Sequence, residues 1–154
     1  MRTALAFSFL TLAAGAQAAV DCQFNGRPVV VSESFADFHT NSLGKRDVNG
    51  YLSMFRLLTM DESDGGPNSV ELKTIDVTKP GRYALSKDAG WRSQIDVQGD
   101  TVPTTGGEFN ITRLEVRGST GRAAGTVTFS TAKVNGSCRF DVELVVVDRG
   151  PMLR

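Results

Sequence analysis

The chain has 154 residues, with 17 Lys+Arg against 17 Asp+Glu and a single histidine, so its formal net charge is zero. That balance lacks the basic excess that binding to nucleic acid or to anionic membrane draws on. One histidine, His39, leaves little material for a multi-histidine metal site or a histidine-based triad, and it reads as an ordinary surface or edge residue.

The N-terminus, MRTALAFSFLTLAAGAQA, has one positive charge at Arg2, an uncharged apolar run to about Ala14, and a small-x-small site at Ala16-Gln17-Ala18. This is the anatomy of a secretory signal peptide over 1–18. The run is too short for a membrane span, which needs about 20 apolar residues. Bacterial lipidation of Cys22 would require a small residue just before it, and Asp21 stands there. Cleavage after Ala18 leaves 136 residues, 19–154, enough for one domain with a real core. The expected location is the periplasm or the exterior, soluble after cleavage.

From Ala19 onward, short alternating apolar runs and turn signals predict an all-β chain. Cys22 and Phe24 alternate inward on a first strand. Tyr51–Leu58 is apolar on both faces, which suggests a central strand covered on both sides. Two runs change phase midway: Val70 and Leu72 against Ile75 and Val77, then Phe109 and Ile111 against Leu114 and Val116. Bulges at Lys73–Thr74 and at Thr112–Arg113 would account for both. Pro80-Gly81 has the composition of a type II turn. Trp91, Ile95 and Val97 share one face of a further strand, and the stretches 61–69 and 99–107 read as loops. Val127 and Phe129 point inward, Asn135-Gly136 is the preferred pair for a tight hairpin turn, and Cys138, Phe140, Val142, Leu144 and Val146 line the inner face of the last strand. About nine strands in all predict an antiparallel two-sheet β-sandwich.

The segments FNGRPV, KPGRY, GGEFNITRLE and GRAAGTVTFSTA occur in that order. The series resembles a group of small exported bacterial β-sandwich proteins of uncharacterised function, many of them lipoproteins. They share an early Asn-Gly turn, a Pro-Gly-x-Tyr turn, a Gly-x-Phe-x-Ile-Thr-x-Leu strand and a Gly-Thr-x-x-Phe strand. The resemblance covers most of residues 19–154 and implies a fold and a compartment, with no catalytic residues to carry over. This chain departs from the pattern by lacking the lipid-attachment site and by having a second cysteine.

Cys22 and Cys138 both point inward on strands at opposite ends of a domain whose termini are expected to lie close together. Export permits oxidation, so a Cys22–Cys138 disulfide is expected. Nucleophile and acid–base patterns are weaker. Ser-x-x-Lys occurs at Ser42–Lys45 and at Ser130–Lys133, but needs a helix to bring its two residues to one face. Asp141 and Glu143 share the outward face of the last strand, about 6–7 Å apart by strand rise. A hydrolase would also need a raised pKa on one of them. The Asp61–Gly66 stretch, with Asp61, Ser63, Asp64 and Gly65, resembles the opening of a calcium loop, yet Leu72 stands where a bidentate acid belongs. Gly118–Gly125 reads as a hairpin turn and not as a phosphate loop.

Val145 and Val147 fall on the same outward face as Arg139, Asp141 and Glu143, making the end of the last strand apolar on both sides. They are either covered by the tail or form a partner patch. The expected function is that of an exported, non-enzymatic binding or interaction protein of unidentified ligand, with an envelope protein as partner. Alternatives are a periplasmic inhibitor or immunity-type protein acting on a hydrolase or toxin, and a hydrolase using surface carboxylates. No cofactor, metal, nucleic acid or membrane span is expected.

Overall fold

The computed structural model describes residues 19–61, 68–86 and 93–149. The predicted signal peptide, most of the Asp61–Gly66 loop, Trp91 and the last five residues lie outside the described residues. Among the described residues every regular element is a strand: β1 Ala19–Phe24, β2 Arg27–Val29, β3 Glu33–Thr40, β4 Ser53–Asp61, β5 Asn68–Ile75, β6 Gly81–Ala84, β7 Gln94–Val97, β8 Asp100–Arg117, β9 Thr120–Thr131 and β10 Asn135–Asp148.

The all-β expectation holds, but the two-sheet sandwich does not. Strands β3, β4, β5, β7, β8, β9 and β10 pair in a ring that closes through β10, giving a seven-strand barrel. The reason lies in strand length. β8 has 18 residues, β9 12 and β10 14. Strands this long coil and change neighbours part-way instead of staying in one flat layer. β8 pairs with β7 over Asp100–Pro103 and with β6 over Glu108–Ile111. β10 pairs with β9 along one edge, while β1 and β3 share its other edge. The β10–β3 pairing is parallel; the remaining pairings are antiparallel.

Alternation is apolar inward and mainly polar outward. Phe55 of β4, Phe109 of β8 and Phe140 of β10 meet at the centre, with ring centroids 5.2, 5.6 and 6.0 Å apart. All three rings are essentially fully buried. Fully burying a side chain of this size contributes about 2–3 kcal/mol, so this trio and its aliphatic neighbours hold the barrel shut.

The register breaks where predicted between Ile111 and Arg113. Gly125 lies opposite that bulge, and a Cβ there would come within 2.2 Å of the Asn110 carbonyl oxygen. The other predicted bulge is absent: β4 and β5 stay in register through Lys73 and Thr74. The phase change there comes from Asp76, whose φ of 55° turns Val77 back into the core. Ile75 faces outward and packs with Tyr51 and Met54, so the outer side of β4 is buried at Met54, half-buried at Arg56 and Leu58, and exposed at Met60.

Turn chemistry also differs from expectation at several places. Asn135-Gly136 is inside β10 and not in a turn; the connection is tighter, with the Thr131 amide donating to the Val134 carbonyl at 2.9 Å. Gly136 is required for space, because the Phe129 ring lies where its Cβ would be, 2.1 Å away. The Asn-Gly hairpin pair in use is Asn25-Gly26, with φ of 49° and 77°, joining β1 to β2. Gly81 has no positive φ and opens β6 instead of completing a type II turn. Residues 99–107 are largely the start of β8, not a loop. Gly118–Gly125 does contain the hairpin turn, at Gly118-Ser119, before β9 begins.

Cys22 and Cys138 face each other across the β1–β10 ladder, are 3% and 2% exposed, and form a disulfide. They occupy a non-hydrogen-bonded pair of the ladder, where strands approach most closely and a bridge fits. The bond closes a sequence separation of 116 residues. Replacing both cysteines with alanine is expected to cost about 2–5 kcal/mol of stability, read by chemical denaturation. A loss under about 0.5 kcal/mol, the scale of ordinary surface changes, would contradict this role for the bridge.

Candidate functional site

The outward faces of β10, β3, β4 and β5 carry a layer of charge bounded by apolar side chains. Cross-strand register builds it. Val145 stands beside Asp37, Asp37 beside Arg56, and Arg56 beside Lys73; one step along, Val147 stands beside His39. Alternation aims all of them away from the core.

Asp37 is only 3% exposed although it is on the outer face. Arg56 covers it, donating from Nε to both carboxylate oxygens at 3.1 Å and from Nη2 to Oδ2. The fork geometry of guanidinium on carboxylate makes this a strong pair. The hydrogen bond to Asp37 holds the Arg56 guanidinium above its ordinary pKa, against the opposing effect of burial. Arg56 also reaches Glu71 at 3.4 Å, and Lys73 Nζ sits 2.9 Å from the same Glu71 oxygen. Its guanidinium lies 5.8 Å from the Phe35 ring centroid.

His39 joins this layer to the end of the described chain. Its Nδ1 accepts from Arg149 Nε at 2.9 Å, which places the neutral ring's proton on Nε2, 3.4 Å from Asp37 Oδ2. Arg149 also donates to Asp47 at 2.5 Å, and its backbone amide donates to the Thr40 carbonyl at 2.7 Å. Burial lowers the His39 pKa from its ordinary 6.5; the Asp37 charge opposes this and the Arg149 charge adds to it. His39 is therefore more than the plain edge residue its sequence context suggests. Asp37 sits two residues away on the same strand face; the missed signal is pairing register, which brings Arg56 and Arg149 around it from two distant stretches.

The exposed apolar members form a diagonal on the same face. Val145 is 48% exposed, Phe35 42%, Val147 39% and Met60 38%. The predicted patch residues Val145 and Val147 thus remain open, although their backbone is paired with β3. Phe35 and Met60 extend the patch onto β3 and β4.

Other sequence candidates fall elsewhere. Ser42 donates to Asp148 at 2.6 Å from a connection without regular structure, and Ser130 is the next-to-last residue of β9, with Lys133 in the turn 3.7 Å from Asp100. Neither Ser-x-x-Lys stretch is helical. Asp141 accepts from Arg122 at 2.8 Å and Arg113 at 2.5 Å. The Arg122 bond first, with the Arg113 bond added, holds its carboxyl below the usual range against the opposing effect of burial. A general acid needs the reverse. Among the described residues no group of three or more His, Cys, Asp or Glu side chains is placed to hold a metal ion. No protein-family model, curated protein or solved structure matches the chain.

The histidine generates a pH prediction. With its folded pKa depressed, the unfolded chain takes up a proton near pH 6.5 that the folded chain resists. Stability is therefore complete above 6.5 and falls as pH drops through the window between that value and the lower folded pKa. Because His39 is the only histidine, this slope belongs to one residue. Denaturation midpoints of His39→Gln should be flat across that window. Loss below about pH 4, where carboxylates such as Asp141 protonate, should persist. An unchanged slope in the variant would contradict the assignment.

Proposed function

We propose that the chain is an exported, non-enzymatic binding protein, and that the outer face of β10, β3 and β4 receives a protein partner in the bacterial envelope. The observation that carries this reading is the exposure of Val145, Val147, Phe35 and Met60 together on one face, on three neighbouring strands. The charges between them already satisfy one another: Asp37, Arg56, Glu71 and Lys73 form a connected set of ion pairs. A surface that is apolar at several points and electrostatically self-satisfied loses little by being covered with another protein.

The compartment is part of the proposal. The leader over 1–18 directs export, and a buried disulfide suits an oxidising environment. Among the described residues no helix is long and apolar enough to cross a membrane. The inward-apolar, outward-charged alternation of the strands is the reverse of what a lipid-facing barrel requires.

The test is affinity capture by the tagged chain from its own envelope extract, with Val145→Lys plus Val147→Lys as the comparison. Loss of a specific captured protein should accompany a stability change of about 1 kcal/mol or less, the scale for exposed strand positions. Capture that survives both substitutions would refute this face as the binding surface. A collapse in stability would instead make the two valines part of the core.

A further inference from the structure

The parallel ladder that closes the barrel ends in a cluster of charge. β3 and β10 pair from Asp37 with Val145 to Thr40 with Asp148. One main-chain bond extends the closure past that point, from the Arg149 amide to the Thr40 carbonyl at 2.7 Å. The Arg149 side chain then folds back over the same seam. Its Nε donates to His39 Nδ1 at 2.9 Å, and its Nη1 donates to Asp47 at 2.5 Å. Its guanidinium lies 5.5 Å from the Tyr51 ring centroid.

The two acceptors differ in kind. Asp47 is built into its own turn. Its Oδ1 accepts from the Asn49 and Tyr51 amides, and its main chain bonds with Gly50 and Tyr51. Burial opposes ionisation of its carboxyl, but the Tyr51 and Asn49 amides and Arg149 together hold it below the ordinary range. Asp47 therefore keeps its charge in mild acid. His39 has no such reserve. A neutral imidazole has one nitrogen that accepts, and here that nitrogen serves Arg149; an imidazolium has none.

The charged groups around the ring pull in both directions. Asp37, two residues back on β3, faces Nε2 at 3.4 Å and favours the charged ring. Burial, Arg149 and Arg56 of β4 oppose it. On β5, Glu71 pairs with Arg56 and Lys73 pairs with Glu71. In the 41–52 connection, Asp47 and Tyr51 engage Arg149. The nearest cross-strand neighbours, Met54 of β4 and Val147 of β10, carry no charge. The ring is half-buried and not sealed, so solvent can deliver a proton. A proton on Nδ1 turns the acceptor into a donor. It also sets an imidazolium against a guanidinium at a spacing where attraction had held them.

We propose that His39 is an acid-released clasp on the barrel seam: when Nδ1 takes up a proton, Arg149 leaves the ring and the last main-chain bond of the β3–β10 closure loosens with it. The neutral ring keeps the clasp shut, and the charged ring opens it. No partner is needed for either state.

Nuclear magnetic resonance on the labelled protein tests this. Above pH 6.5 a scalar coupling across the hydrogen bond should link Arg149 Nε to His39 Nδ1. The ring's own nitrogen shifts report its protonation as pH falls. As they change, the coupling should vanish, and protection of the Arg149 amide from hydrogen exchange should drop at least about tenfold more than that of Val146. The Val146 amide donates to Ser119 on the β9 side and reports the stability of the strand as a whole. His39→Gln supplies an uncharged acceptor that does not titrate, so Arg149 protection in that variant should be flat across the same window. Protection at Arg149 that is indifferent to the ring's titration overturns the proposal. So does a drop shared equally by Val146, the same drop in His39→Gln, or a ring that stays neutral until the barrel unfolds in acid.

Discussion

The structure depends on the two edges of β10. A strand has one row of main-chain donors and acceptors on each side, and buried groups left unpaired are costly. β10 gives one row to β9 and divides the other between β1 and β3. The parallel contact with β3 closes the ring; the antiparallel contact with β1 carries the disulfide. The first described strand and β3 are thereby fastened to the last described strand, and the aromatic trio of Phe55, Phe109 and Phe140 fills the space that closure creates.

The outer face inherits its properties from that closure. Parallel pairing sets Val145 and Val147 beside Asp37 and His39, and β4 then adds Arg56. An acid so close to apolar neighbours would be expensive without a bidentate partner. Once Arg56 is held there, Glu71 and Lys73 extend the network along β5. Arg149 ties the end of the described chain into the same layer through His39 and Asp47. One strand contact therefore decides the core, the charged layer and the exposed apolar diagonal together.

Much of this was legible in the sequence, and the omissions have a common cause. Alternation located the inner faces of β9 and β10 and the bulge near Thr112, because side-chain period is a local property. The cysteine pairing was legible because both residues fell on inward positions of terminal strands. Sandwich and barrel, however, share that alternation and differ only in which distant strands meet. Nothing near His39 announces Asp47 or Arg149, and nothing near Phe35 announces Val145. At Asn135-Gly136 a strong local turn signal yielded to packing: the glycine is needed to receive the Phe129 ring. At Asp76 an unexpected positive φ did the work expected of a bulge.

The contact that separates this barrel from a sandwich is the parallel pairing of β3 with β10. Nuclear Overhauser spectroscopy on isotopically labelled protein tests it directly. The account predicts cross-strand backbone proton contacts linking Asp37–Thr40 with Val145–Asp148 in parallel register. If those contacts are missing and the amides of β3 on that side exchange as freely as an open sheet edge, the ring is not closed and the account of both core and outer face is wrong.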